Sequence, residues 1–148
     1  MDRRISLLNK ATEEVKDFQQ RLQASVGLEE WSDVAVCALL QALSDEVDVA
    51  ETLMRLVPVD TPLKIISDLL SMWCWRTDDN GAQIVRTAER WITALEDPRR
   101  VEVALTLDVY PFVDPNERLA RIRRVEQRWP QLGGCCRPII DFTVSRGA

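Results

Sequence analysis

Three times along this chain a side chain suited to capping a helix stands directly before proline, at Thr61-Pro62, Asp97-Pro98 and Asp114-Pro115. Proline lacks the N–H that a first helical turn leaves unbonded anyway, and its fixed φ suits that position. The Thr or Asp oxygen before it can accept an N–H from the turn that follows. Each pair therefore reads as a helix start, and Glu117, three residues after Asp114, adds a capping-box pattern. Asp78-Asp79-Asn80-Gly81 breaks the chain between two such helices, and Pro130 with Gly133-Gly134 breaks it again later. With only 5 Gly in 148 residues, and with β-branched residues scattered rather than run together, the chain is expected to be all-α.

Hydrophobic spacing supplies the helices between these signals. Ile5, Leu8, Val15, Phe18 and Leu22 recur at three-to-four spacing and predict a helix over 3–23. Ser25 or Ser32 can cap a second helix over 26–43, which carries Val34, Ala35, Ala38, Leu39 and Ala42. A third over 45–56 places Val49, Leu53 and Leu56 on one face. Further helices are expected over 62–75, 81–96, 98–109 and 115–128, with a short one near 136–145. Connections of a few residues favour antiparallel neighbours, so the expectation is a single compact bundle of about seven to eight helices, one domain over 1–148.

Several function classes are excluded by residues the chain does not have. It contains no His, which removes Ser–His–Asp and Cys–His catalysis. No phosphate-binding glycine loop and no EF-hand loop is present. Cys37 and Cys74 sit in apolar stretches, and Cys135 and Cys136 are adjacent, so no CxxC pair exists. Buried reduced thiols are expected, with a vicinal redox role for Cys135 and Cys136 as the alternative. No stretch approaches the roughly 20 apolar residues that span a bilayer. Met1-Asp2-Arg3-Arg4-Ile5 runs straight into the amphipathic pattern without a signal core, so no membrane association and a cytoplasmic location are expected. Arg outnumbers Lys sixteen to three, a bias of GC-rich, bacterial coding sequence.

Carboxylates supply the one enzymatic pattern. Glu14 and Asp17 lie three apart on one helical face, and Glu30 and Asp33 do the same further on. A turn near Gln23 and Ala24 would set Asp17 opposite Glu30 and Glu14 opposite Asp33, an arrangement able to hold Mg²⁺ against a triphosphate. Residues 11–50 resemble the all-α MazG-type nucleotide pyrophosphohydrolases, which carry an ExxE motif on one helix and ExxD on the next. The matching stretches are Glu14-Val15-Lys16-Asp17 and Glu30-Trp31-Ser32-Asp33, followed by Leu39-Leu40-Gln41-Ala42-Leu43 and Asp48-Val49-Ala50-Glu51. The resemblance implies a Mg²⁺-dependent enzyme with Glu14, Asp17, Glu30 and Asp33 as metal ligands. Asp17 stands where the motif has its second Glu.

Charge distribution points elsewhere. Between residues 22 and 54 lie seven acids, Glu29, Glu30, Asp33, Asp45, Glu46, Asp48 and Glu51, and no Lys or Arg. Residues 118–128 carry Arg118, Arg121, Arg123, Arg124 and Arg128 against Glu126 alone. A net charge of −5 argues against nucleic acid as the partner of that basic helix. Trp73 and Trp75 are two apart, so both cannot face one core, and Trp75 is a candidate contact residue. The leading expectation is a small bacterial helical protein-binding module, an adaptor, chaperone or inhibitor, without a cofactor. Its acidic surface would meet a basic protein, or the basic helix of a second copy in a homodimer.

Overall fold

A computed structural model describes residues 3–25, 27–28 and 31–147, and every regular element among them is helical. In chain order these are α1 (Arg3–Gln23), α2 (Val34–Ala42), α3 (Val49–Leu56), α4 (Leu63–Cys74), α5 (Ala82–Ala94), α6 (Pro98–Leu105), α7 (Pro115–Arg128) and α8 (Gly133–Ser145). A 3-10 turn, Pro130–Leu132, leads into α8. Within the span that the sequence presents as one domain, the chain forms two compact units, Met1–Ile84 and Val85–Ala148. No helix among the described residues is long and apolar enough to cross a membrane.

In the first unit α1 packs on α2 and α4, burying Leu8, Ala11 and Val15. The centre is α4, whose Ile66, Leu69, Leu70 and Trp73 are almost wholly out of solvent. The Trp73 indole donates to the Val36 carbonyl at 3.0 Å, so the largest core side chain also satisfies a backbone acceptor of α2. Asp68 accepts from Gln19 at 2.8 Å and pairs with Lys64 at 2.9 Å, which ties α1 to the flank of α4.

The starts of α2, α3 and α4 differ from the sequence expectation, each for a local reason. α2 begins at Val34 rather than near 26, because Trp31 and Ser32, just before it, bond to α1. There the Trp31 indole donates to the Glu14 carbonyl at 2.9 Å and its ring sits 4.9 Å from that of Phe18. α3 begins at Val49 rather than 45, since Asp48 takes the N-cap position and accepts the Glu51 N–H at 3.1 Å. α4 begins one residue late, with Pro62 itself as the cap position and no capping side-chain bond. Thr61 instead closes a turn, donating its N–H to Pro58 at 3.0 Å.

The second unit holds the other two proline starts where they were expected. Asp97 and Asp114 have extended backbone and accept the N–H of Arg99 at 3.0 Å and of Asn116 at 2.9 Å. Replacing either Asp by Ala should lower stability by about 0.5–2 kcal/mol. Urea unfolding midpoints equal to wild type for both variants would show that these caps contribute nothing.

α6 ends at Leu105, short of the expected 109, and the loop after it is clamped. Phe112 sits at φ 60, a left-handed conformation uncommon for a bulky side chain. Its N–H donates to the Glu89 carboxylate at 2.5 Å, while Arg118 donates to the carbonyls of Pro111 at 2.9 Å and Phe112 at 2.8 Å. Arg118 thus belongs to the interior bonding of this unit rather than to a free basic surface. α8 starts at Gly133, three residues before the expected 136, and with α7 encloses Ile122, Val125, Cys136, Ile139 and Ile140. All four cysteines are free thiols. Burial pushes the Cys136 thiol up to about 11, and burial followed by the charge of Glu102 raises that of Cys135, so both stay protonated at neutral pH.

Candidate protein-binding site

The C-terminal end of α4 treats its two tryptophans oppositely. Trp73 is 0% exposed and Trp75 is 78% exposed. Two residues on a helix are separated by roughly 200°, so an end that buries one ring must present the other to solvent.

Immediately after Trp75 the chain folds into a tightly bonded loop. Thr77 Oγ1 and Asp79 Oδ1 both accept the Gly81 N–H, at 2.7 and 3.0 Å, and Asp79 Oδ2 accepts the N–H of Gln83 at 3.0 Å. Asn80 and Gly81 both take positive φ, 57 and 80. Gly81 also backs onto α4 so closely that a Cβ there would lie 2.7 Å from Cys74 Cβ and 3.0 Å from its Cα. The hydrogen bonds from Thr77 and the Gln83 amide, with lesser ones from Gly81 and Ala82, hold the Asp79 carboxyl below its ordinary range against the opposing effect of burial. It is therefore charged throughout the physiological pH range.

This loop forms one wall of a cleft of about 620 Å³, within the size range of ligand pockets. Leu40, Val49 and Ile84 give it apolar surface, while Gln41, Gln83, Glu46, Asp78 and Asp79 add polar and acidic groups. Gln83 joins two sides of the cleft by accepting the Val49 N–H at 3.3 Å. Among the described residues Arg76 is the one base lining it, and its guanidinium is paired with Asp33. Cys37 also lines the cleft. Its thiol is raised by burial and then by the neighbouring Asp33 carboxylate, to which it donates at 3.6 Å.

The acids singled out from sequence divide by what they already do. Glu29 and Glu30 lie outside the described residues. Asp33 is held by Arg76, Glu46 pairs with Arg4 at 3.0 Å, and Asp48 caps α3. Glu51 stands in the first turn of α3. Asp45 is exposed just before these. Sequence reading missed Asp78, Asp79, Gln41 and Gln83, all of which line the cleft. In the sequence the two acids beside Trp75 read only as a chain break, and the glutamines carry no pattern at all.

Of the carboxylates of the metal reading, Glu14, Asp17 and Asp33 are likewise engaged, and Glu30 lies outside the described residues. Glu14 Oε1 accepts the Val36 N–H at 2.8 Å and Oε2 accepts from Ser32 at 3.2 Å, so this side chain serves the first turn of α2 from across the helix pair. The expected facing of Glu14 and the Asp33 region is present, but its use here is a cap. Asp17 pairs with Arg21 at 3.0 Å, and Asp33 turns to Arg76. Among the described residues no three Asp, Glu, His or Cys gather as a group that could hold a metal ion. No family model matches this chain, no curated protein matches it, and no solved structure matches it.

Proposed function

We propose that the chain is a helical protein-binding module whose contact surface is the acidic side of its first unit, centred on Trp75. The observation that carries this reading is the 78% exposure of Trp75, beside a rigid loop that sets Asp78 and Asp79 at the mouth of a cleft. A large indole left in water at a fixed position is the typical anchor of a binding hot spot, and it loses little conformational freedom on contact. Charge favours the same unit. Residues 1–84 contain fifteen Asp and Glu against eight Lys and Arg, whereas residues 85–148 contain nine against eleven. Acidic surfaces speed encounter with basic partners and disfavour acidic ones.

The test is capture by the tagged full chain from extract of its source cell, compared with Trp75→Ala and with a control, Val113→Ala, at a residue 96% exposed in the second unit. A proteinaceous partner held by wild type and by the control should be lost with Trp75→Ala, at a cost of about 2 kcal/mol or more in affinity. Equal capture by all three proteins overturns the reading.

A further inference from the structure

We propose that the cleft between the Thr77–Gly81 loop and the Glu46–Val49 segment receives a single Lys or Arg side chain, flanked by apolar residues, from the protein partner. This rests on the reading of the first unit as a protein-binding surface and names what enters it. The cleft combines two surfaces that rarely suit one ligand group. Leu40, Val49 and Ile84 line it with hydrocarbon, while Glu46, Asp78 and Asp79 line it with carboxylates. Lysine and arginine have that same division within one side chain, an apolar stem ending in a cation. An aliphatic residue would leave the carboxylates facing hydrocarbon, and an acidic one would meet like charge.

The charges already present leave room for an incoming cation. Arg76 is neutralised by Asp33, and Glu46 is met by Arg4. Asp78 is exposed and makes no ion pair or hydrogen bond among the described residues. Asp79 spends its lone pairs on backbone amides that fix its position, and its charge remains. Outside the cleft the chain supplies apolar surface for the flanking residues of the partner. Trp75 directly precedes Arg76, and Val47, 90% exposed, lies between the lining residues Glu46 and Val49. Because the loop carrying Asp78 is held by its own hydrogen bonds, little ordering remains for binding to supply.

The test follows the ¹H–¹⁵N spectrum of the labelled full chain. The probes are a blocked pentapeptide with arginine between two leucines and serine at each end, its twin with glutamate replacing arginine, and spermidine. The arginine peptide should shift the side-chain amides of Gln41 and Gln83, the Gly81 amide and the Trp75 indole. The glutamate twin should bind at least about tenfold more weakly, and Asp78→Lys should weaken the arginine peptide to a similar degree. Asp78→Asn, which removes the charge alone, should retain the fold and give an intermediate affinity. Four results overturn the proposal: no shift at these four residues with millimolar peptide, equal shifts from both peptides, unchanged binding by both Asp78 variants, or tighter binding of spermidine, which would assign the cleft to a small polyamine. If the peptide fails while partner capture still depends on Trp75, the cleft assignment falls and the binding module stands. If the peptide binds at the cleft while capture ignores Trp75, the module reading falls instead.

Discussion

Trp73→Ala is expected to destabilise the first unit by about 3–5 kcal/mol, whereas Trp75→Ala should change stability by no more than about 0.5 kcal/mol. The two residues are the same type and two positions apart, so composition and local propensity cannot account for the difference. Trp73 is 0% exposed and fills the space between α4 and α2. Truncating it leaves a large void and removes the donor that the Val36 carbonyl accepts at 3.0 Å. Trp75 is 78% exposed and gives up little packing when shortened. Urea unfolding monitored by far-ultraviolet circular dichroism separates the two. A Trp75→Ala midpoint as low as that of Trp73→Ala would mean that Trp75 is a core residue and not a contact surface.

That pair also shows how far the sequence could be read. Spacing alone says that one of the two rings must leave the core. It does not say which, because the answer depends on where α2 crosses α4, and Val36 is 37 residues away in the chain. Helix starts built from adjacent residues were legible for the same reason in reverse. Asp97 and Asp114 make their capping bonds within two residues, and both stand where the Asp-Pro signal placed them. Thr61-Pro62 carries the same signal, yet a preceding turn through Pro58 captures Thr61 and moves the start by one residue.

The acidic block from residue 22 to 54 was legible as charge and illegible as use. Asp33, Glu46 and Asp48 take partners at separations from 3 to 43 residues, as cap or ion pair. Which acids remain uncommitted therefore emerges only from tertiary contacts; among the described residues of the first unit these leave Asp45 in the block, and Asp60 and Asp78 beyond it, exposed and without a side-chain bond. The same limit applies to Arg118. Its place in an arginine-rich helix suggests surface, whereas the strained Phe112 backbone that it bonds cannot be seen in sequence.

Gly81→Ala should cost about 2–4 kcal/mol, from a left-handed backbone that disfavours a Cβ and from overpacking against α4. Both contributions are local and specific. The φ of 80 is available to glycine without strain. The nearest atoms to a new methyl group are Cβ, Sγ and Cα of Cys74, at 2.7, 2.8 and 3.0 Å, and the last is backbone that cannot rotate away. Relief requires the Thr77–Gly81 loop to lift, which breaks the hydrogen bonds from the Gly81 and Gln83 amides and displaces Asp78 from the cleft. Amide exchange at Gly81 and Gln83 should accelerate in the variant before the unit unfolds globally. A variant with wild-type melting temperature and protected Gly81 and Gln83 amides would show that the loop tolerates a side chain there, and the cleft would lose its rigid wall.

Capture of a basic protein partner by the acidic, Trp75-bearing side of the first unit is tested by the association rate with that partner across ionic strength. Asp45→Lys with Asp78→Lys is the informative variant, because neither carboxylate has a structural bond to lose. The rate for wild type should fall steeply as salt shortens the screening length from roughly 10 to 3 Å. The double reversal should start at least about tenfold slower at low salt and converge with wild type at about 1 M, with dissociation much less affected. Rates that coincide for the two proteins at every salt concentration would contradict the account.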